Sequence, residues 1–227
     1  MIPAIVFLLA LGWPQAAGKT AQPRISATDT AYLGCSAWTG EGWTSAVTRT
    51  SRTPVSASPG GYRAYAEVKA VASGDACENT TRLYVAPAGS SAYRIAYTIS
   101  PAAREGNGIR LIGWSPGGNK LLAEVNLWEY ETDGGFDHVI LIYDAAGRSA
   151  KIIHPDQAIS RRFGLNCESE LSIDAWKTDE QVLIGISRSS EDESYQQHFC
   201  VKAPQKFIFD LQKQTLQPDP HEARQKN

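Results

Sequence analysis

Carboxylate side chains collect in two polar stretches of the chain, and their clustering is what a cation site would require. One stretch surrounds Gly134-Gly135 and contains Glu129, Glu131, Asp133 and Asp137. The other stretch contains Glu191, Asp192 and Glu193. Clustered carboxylates beside glycine can bind Ca²⁺, but this spacing matches no EF-hand or repeat-type calcium loop. We therefore interpret these residues as solvated loop charge, and we predict no metal and no cofactor.

Residues in and near the first stretch are predicted to form a binding surface for a protein or peptide. The surface is expected to contain a large aromatic side chain, three carboxylates and a pair of adjacent arginines: Trp128, Glu129, Asp133, Asp137, Arg161 and Arg162. Loops that a rigid scaffold holds in place are the usual location of binding residues.

Catalytic motifs are poorly represented in the sequence. It contains no His-Glu-x-x-His helix and no phosphate-binding glycine loop, and no nucleophile elbow is predicted. His138 follows Asp137 at the start of an apolar run, where a hydrogen-bonded structural role is favoured over general-base catalysis. These features favour a non-catalytic protein, although they do not exclude an enzyme. No catalytic residue is predicted.

Length, composition and charge restrict the class of protein. The 227 residues are 42% hydrophobic and 20% charged, which excludes a disordered chain. The 24 acidic and 22 basic residues exclude the strongly basic surface that binds nucleic acid. With 19 glycines, 12 prolines and nine tyrosines, the chain is predicted to be an all-β domain with many turns.

The first 18 residues have the pattern of a signal peptide. An apolar run from Ile2 to Trp13 leads into the small residues Ala16-Ala17-Gly18, although no lysine or arginine precedes the run. The alternative is a buried N-terminal strand or helix. About 12 apolar residues are too few to cross a bilayer of roughly 30 Å, so no membrane span is predicted. The mature protein is expected to be secreted or periplasmic.

An internal similarity points to a duplicated unit. Residues 58–68 and 115–125 are identical at seven of eleven positions, and both begin with Ser-Pro-Gly-Gly. The similarity continues where residues 82–89 align with residues 140–147. A more degraded third copy is expected to begin at Ile173-Asp174-Ala175-Trp176.

The chemistry of each unit predicts four antiparallel strands. Proline followed by glycine favours a tight type II turn, so Ser-Pro-Gly-Gly is expected to join the first strand to the second. After the turn, apolar and polar residues alternate with a period of two, as along Leu121, Ala123, Val125 and Leu127. The continuous apolar run 139–143 is typical of a strand buried on both faces. Such sheets must stack face to face to bury their apolar sides.

The unit resembles the TolB-type β-propeller repeat, in which an aromatic residue precedes Ser-Pro, a glycine-containing turn, a basic residue and an apolar strand. Trp114-Ser115-Pro116-Gly117-Gly118-Asn119-Lys120 fits, with glycine where the family usually has aspartate. The resemblance covers roughly residues 50–217 and implies a propeller-like arrangement with about three recognisable blades. It carries almost no information about function.

Three blades are fewer than the four to eight that closed propellers typically have. Three arrangements are compatible with this count: either residues 24–52 supply another blade, or the ring is open, or a second chain completes it. A β-sandwich built from the same strands is the structural alternative. The expected division is a signal peptide at 1–18, an N-terminal segment at 19–54, the repeat domain at 55–217 and a polar tail at 218–227.

Four cysteines are expected to form structural disulfides in an oxidising compartment, because none of their spacings resembles Cys-x-x-Cys. In a propeller blade, the loop between the second and third strands lies on the same face as the connection between blades. The resemblance therefore implies that Cys35 pairs with Cys77 and that Cys167 pairs with Cys200.

The leading hypothesis is an exported, non-catalytic binding or scaffold module that engages a protein or peptide through the disulfide-braced loop face. The alternative is an extracytoplasmic hydrolase or lyase that uses the acidic loops, with or without calcium. A fragment of a larger propeller assembly is a third hypothesis. An oligomer is compatible with each of them.

Overall fold

The computed structural model describes residues 30–35, 48–73, 76–100, 105–129, 137–164, 167–188 and 199–223. Within them the chain is built almost entirely of antiparallel strands. Sheet 1 contains β1 (Arg49–Arg52), β2 (Ser56–Ala57), β3 (Arg63–Ser73), β4 (Ala76–Ala86) and β5 (Arg94–Ile99). Sheet 2 contains β6 (Glu105–Trp114), β7 (Lys120–Glu129), β8 (Asp137–Asp144) and β9 (Ser149–Ile153). Sheet 3 contains β10 (Glu170–Thr178), β11 (Gln181–Ser187), β12 (Gln205–Asp210) and β13 (Thr215–Pro218). Two short helices complete the structure, α1 (Asp156–Phe163) and α2 (Pro220–Ala223).

Sheets 2 and 3 are meanders of four strands, as the repeated pattern predicts, and sheet 1 adds the two-residue strand β2 to the same four-strand order. The orders are β1-β3-β4-β5, β6-β7-β8-β9 and β10-β11-β12-β13, with β2 paired to β3 beside β1. The prediction of an all-β fold made of stacked four-stranded antiparallel sheets is confirmed. Because β1 is the first strand of sheet 1, the boundary predicted between residues 54 and 55 falls inside a sheet. The predicted polar tail begins inside β13, and its Asp219 is buried.

Sheet 2 is the central layer of the stack. Leu121, Ala123 and Val125 on β7 pack with the alanine row of β3 in sheet 1. On the opposite face, Leu122 and Ile140 pack with the apolar residues of sheet 3. β7 is therefore buried on both faces, which is why its polar positions also lie in the interior.

The two Ser-Pro-Gly-Gly corners lie in equivalent places: residues 58–61 join β2 to β3, and residues 115–118 join β6 to β7. Gly61 N donates to Ser58 O at 2.9 Å, and Gly118 N donates to Ser115 O at 2.8 Å. The left-handed residues are Gly61 (φ +83°) and Gly118 (φ +75°), the fourth position of each corner. The type II prediction is wrong, since that turn needs positive φ at the third position. The geometry matches a type I turn followed by a left-handed glycine.

The third corner, Asp179–Glu180 between β10 and β11, meets the other two at one end of the stack. Ser58 Oγ donates to Gly118 O, and Gly117 N donates to Asp179 Oδ1 at 2.8 Å. A Cβ at Gly117 would collide with the Asp179 carboxylate, so a larger residue there would displace Asp179 from this contact. We call this the turn end. The opposite end, with the β3–β4, β7–β8 and β11–β12 connections, is the loop end.

The turn before the last strand is built alike in sheets 2 and 3. Asp144 Oδ1 accepts hydrogen bonds from Ala146 N and Gly147 N, at 2.9 and 3.0 Å. Asp210 Oδ1 accepts in the same way from the second and third residues after it. The fifth residue is left-handed in both turns, Arg148 with φ 51° and Gln214 with φ 50°. This likeness extends the correspondence to sheet 3, whose sequence similarity is weak.

Two disulfides lie at the loop end, Cys35–Cys77 and Cys167–Cys200, and these are the pairs that the propeller layout implies. The first bond anchors segment 30–35 along the free edge of β6. There Ile109 N donates to Thr30 O at 2.8 Å, and Asn126 Nδ2 donates to Ala31 O at 3.1 Å. In the described part of the chain, no helix is long and apolar enough to cross a membrane. The predicted signal peptide lies outside the described residues.

Asp179 is expected to make the stack sensitive to acid. The Gly117 N–H, followed by the Ser115 hydroxyl, lowers the pKa of Asp179 below its ordinary value of 3.8. A carboxylate whose folded pKa is depressed stabilises the fold above its unfolded pKa, and the contribution disappears as pH falls through the folded pKa. Urea unfolding between pH 6 and pH 2.5 should therefore show a steeper loss of stability in the wild type than in Asp179→Asn. Equal slopes for the two proteins would contradict this role.

Candidate functional site

The described members of the predicted binding surface differ in their exposure to solvent. Glu129 and Asp137 are exposed where β7 ends and β8 begins, and Asp133 lies outside the described residues. Trp128 is only 5% exposed. Its ring lies against Gly106 and is covered by Tyr32, with ring centroids 4.7 Å apart. Trp128 is therefore an interior residue, which corrects its prediction as part of a binding surface.

Arg161 and Arg162 hold α1 against the edge of sheet 3. Arg161 donates to Gln214 O, and Arg162 Nη1 donates to Leu216 O at 3.4 Å. The Arg162 guanidinium also lies 5.2 Å from the centre of the Phe207 ring. Gln214 belongs to the β12–β13 turn, so the arginines reach towards the turn end. Both arginines are therefore engaged in contacts with sheet 3.

Two carboxylates approach each other near the loop end of sheet 2. The pKa of Asp156 is raised, chiefly because neighbouring protein atoms displace water from its carboxylate, and secondly because Asp137 is close. The residue keeps an exposed surface, so this pair is not an enclosed acid. No three His, Cys, Asp or Glu residues of the described part are arranged to hold a metal ion.

Glu124 is a buried charged residue of sheet 2. It accepts from Arg110 Nε at 2.7 Å and lies 2.8 Å from His138 Nδ1. Arg110 Nη2 also donates to Ile173 O in sheet 3, at 2.9 Å. His138 thus makes the hydrogen bond of a structural histidine, and the network ties sheets 2 and 3 together.

Residues Gly113-Trp114-Ser115-Pro116-Gly117 match the sequence motif Gly-x-Ser-x-Gly of a nucleophile elbow, although no such elbow was predicted from the sequence. In the structure Ser115 lies in a tight turn between two strands, whereas a nucleophile elbow joins a strand to a helix. The Ser115 side chain is fully buried, and its hydroxyl helps to lower the pKa of Asp179. The motif therefore forms a corner of the stack and no nucleophile.

A cleft of about 400 Å³ opens at the turn end between sheets 1 and 2. Its volume lies within the range of small-molecule and peptide sites. The walls combine small apolar residues with two phenols and two guanidinium groups. They are formed by Tyr62, Val85, Pro87, Ala88, Arg94, Ile95, Ala96, Tyr143, Ala145, Ala146 and Arg148.

Equivalent parts of sheets 1 and 2 build the cleft. Pro87 and Ala88 follow β4, and Ala145 and Ala146 follow β8 at aligned positions of the two units. Tyr62 stacks on Trp114 with ring centroids 5.8 Å apart, and Trp114 Nε1 donates to Ser56 O at 3.2 Å. The corner that joins the strands therefore also fixes one wall of the cleft.

The cleft wall carries two cationic side chains, Arg94 and Arg148, and the Asp144 carboxylate lies in the same turn as Arg148. In the part of the chain that the structure describes, neither Arg94 nor Arg148 has an ion-pair partner. Burial raises the pKa of Tyr143, and the nearby Arg148 only partly opposes this effect. The phenol therefore remains a hydrogen-bond donor at neutral pH. A guanidinium beside a phenol donor, with a second guanidinium on the wall of the same cleft, is suited to a carboxylate or another planar anion.

The sequence did not predict this cleft, because the predicted binding surface was placed on the charged loops at the other end of the stack. The available signal was the alignment of 82–89 with 140–147, which places two small-residue turns side by side. Arg148 directly follows the second of these turns, and Arg94 lies a few residues beyond the first.

Comparisons with known proteins leave the family open. No protein-family model matches the chain, and no curated protein matches it significantly. Among solved structures, an acylaminoacyl peptidase from Pyrococcus horikoshii aligns with 13% identity and a TM-score of 0.43. That alignment covers 76% of this chain and 26% of the peptidase chain. A likeness this distant carries no argument about the present protein.

Proposed function

We propose that this chain is an exported, non-catalytic binding module, and that its binding site is the turn-end cleft. The observation that carries the proposal is the pair Arg94 and Arg148, two guanidinium groups without a described ion-pair partner beside an apolar cleft. The site differs from the loop face that the sequence predicted. The partner class remains a protein or peptide.

The chemistry of the cleft favours a ligand with a carboxylate next to an apolar group. A guanidinium binds a carboxylate through two parallel hydrogen bonds, and charged hydrogen bonds of this kind are the stronger ones. Tyr143 adds a neutral donor, while Val85, Pro87 and Ala145 supply apolar wall. A ligand of this type keeps its carboxylate at the solvent-exposed rim of the cleft and buries its apolar side chain inside the cleft.

Export and the propeller-like repeat belong to the same proposal. Two disulfides are typical of a protein that folds in an oxidising compartment, and the apolar run Ile2–Trp13 supplies a signal-peptide pattern. The matching corners and turns of the sheets support a repeated unit. The extracytoplasmic hydrolase or lyase that uses the acidic loops stays the alternative, and much of its acidic sequence lies outside the described residues.

Isothermal titration calorimetry with N-acetyl-L-phenylalanine tests the proposal. The carboxylate form should bind, and the neutral N-acetyl-L-phenylalaninamide should bind at least tenfold more weakly. Removing a hydrogen bond to a charged group costs about 1.5 to 3 kcal/mol, so Arg94→Ala and Arg148→Ala should each weaken binding about 10- to 100-fold. Arg82→Ala is the matched control, because Arg82 is an exposed arginine on β4 that does not line the cleft.

Equal affinity for the acid and the amide, or equal loss in the Arg82 control, would contradict the proposed role of the cleft. Circular dichroism should show that all three variants keep the wild-type spectrum. Absence of binding by the wild type would count against a carboxylate site altogether.

A further inference from the structure

We infer that the ligand is the C-terminal end of an extended peptide, which pairs with the free edge of β5 and places its terminal carboxylate at Arg94 and Arg148. This inference rests on the proposed function and names the ligand class of the same cleft. It joins two features that are independent of each other, a cationic pocket and an open sheet edge.

β5 is the last strand of sheet 1, and no other strand of the described residues pairs with its outer edge. Alternate residues of Arg94–Ile99 therefore present backbone N–H and C=O groups on that side. Free edges of this kind accept an added strand, and natural proteins usually cover or interrupt them.

Two other sheet edges are covered by the protein itself. Segment 30–35 lies along β6, where Ile109 N donates to Thr30 O. Arg161 and Arg162 of α1 donate to carbonyl groups at the start of β13. The edge of β5 has no cover of either kind among the described residues, and it carries Ile95, which is 56% exposed.

The cleft lies at the beginning of β5, because Arg94, Ile95 and Ala96 form part of its wall. An added strand that runs antiparallel to β5 ends at this position, so its terminal carboxylate arrives beside the two guanidinium groups. A parallel strand would bring an ammonium group to the same cations, which repel it. Charge therefore selects the antiparallel direction and the C-terminal end of the peptide.

The length of β5 sets the length of the peptide. A strand rises about 3.3 Å per residue, so six residues span about 20 Å. A peptide of about seven residues covers this edge and places its last side chain in the cleft. Main-chain hydrogen bonds then supply affinity along the strand, and the cleft supplies specificity for the last residue.

Fluorescence anisotropy with three heptapeptide pools tests the inference. All pools carry an N-terminal fluorophore, six randomised positions and a C-terminal phenylalanine. The first has a free carboxylate, the second a C-terminal amide, and the third a free carboxylate with N-methylated backbone amides at alternate positions. The first pool should bind at least tenfold more tightly than each of the other two and than N-acetyl-L-phenylalanine. It should also protect the amides of residues 94–99 from hydrogen exchange.

The outcomes separate this inference from the function on which it rests. If N-acetyl-L-phenylalanine binds while the free-acid pool binds no more tightly and leaves β5 unprotected, the peptide inference is overturned and the carboxylate site stands. If the N-methylated pool binds as well as the first, strand pairing is overturned. If neither the small acid nor any pool binds, both the inference and the proposed function fail.

Discussion

Replacement of Glu124 by alanine is expected to lower the free energy of unfolding by about 3 kcal/mol. The Glu124 side chain is only 4% exposed, and its carboxylate is shared by Arg110 and His138. Removal of one partner of a buried ion pair leaves the other charge uncompensated, which typically costs about 3 to 5 kcal/mol. The lower value applies because Arg110 keeps 33% of its side chain exposed. Urea denaturation at pH 7 measures the change.

Two controls distinguish this charge from an ordinary surface contact. Replacement of Glu124 and Arg110 together by methionine should recover most of the loss, because no uncompensated charge remains. Arg52→Ala removes an ion pair with Glu67 on the outer face of sheet 1, where Arg52 is 64% exposed. That variant should lose at most about 1 kcal/mol. A Glu124→Ala loss as small as the Arg52→Ala loss would show that the network does not join the sheets.

Removal of the Cys35–Cys77 disulfide by replacing both residues with serine should lower the free energy of unfolding by about 4 kcal/mol. The bond closes a loop with a sequence separation of 42 residues, and the loop-entropy relation gives this magnitude. The bond also anchors segment 30–35, so amides that this segment covers, such as Ile109, should exchange faster with solvent. Chemical denaturation and hydrogen exchange measure the two effects.

The matched control is the second disulfide, Cys167–Cys200. Its sequence separation is 33, so the double serine variant should lose a similar amount by the same relation. Its removal should leave the exchange of Ile109 unchanged, because Cys167 and Cys200 lie beside sheet 3. Faster exchange of Ile109 in both variants would contradict a local role for the first disulfide.

The sheet pattern is readable from the sequence because strands obey a simple periodicity. Ala64, Ala66 and Val68 alternate with polar residues, and all three are buried against sheet 2. The glycine and proline of the corners mark where strands end, so the four-stranded units follow from local chemistry. The expected disulfide pairs depend on this layout, and the same pairs are present in the structure.

Contacts between distant residues are the part that local patterns do not encode. Asp179 holds the corner at Ser115–Gly118, because its carboxylate accepts a hydrogen bond from Gly117 N. The two residues are 62 positions apart in the sequence. Trp128 reads as an exposed alternating residue, yet Gly106 and Tyr32 bury it. From the sequence, Arg161 and Arg162 are expected to be available to a ligand. In the structure, carbonyl groups of β13 and of the turn before it accept their hydrogen bonds. Each error arises where an element that is distant in sequence occupies a side chain.

The cleft illustrates the same limit for function. Arg94 and Arg148 belong to different units, and no motif joins them in the sequence. Their proximity depends on the stacking of sheets 1 and 2 at the turn end. The charged stretches of the sequence predicted a site at the loop end, whereas Arg94 and Arg148 line a cleft at the turn end.

Chemical-shift mapping with N-acetyl-L-phenylalanine tests the location of the binding site most directly. Addition of the ligand to isotope-labelled protein should shift the amide signals of residues 85–88, 94–96 and 143–148, which border the cleft. Signals of Glu129, Asp137 and α1 should remain unchanged. Shifts confined to Glu129 and Asp137 would return the site to the loop face and contradict a binding site in the turn-end cleft.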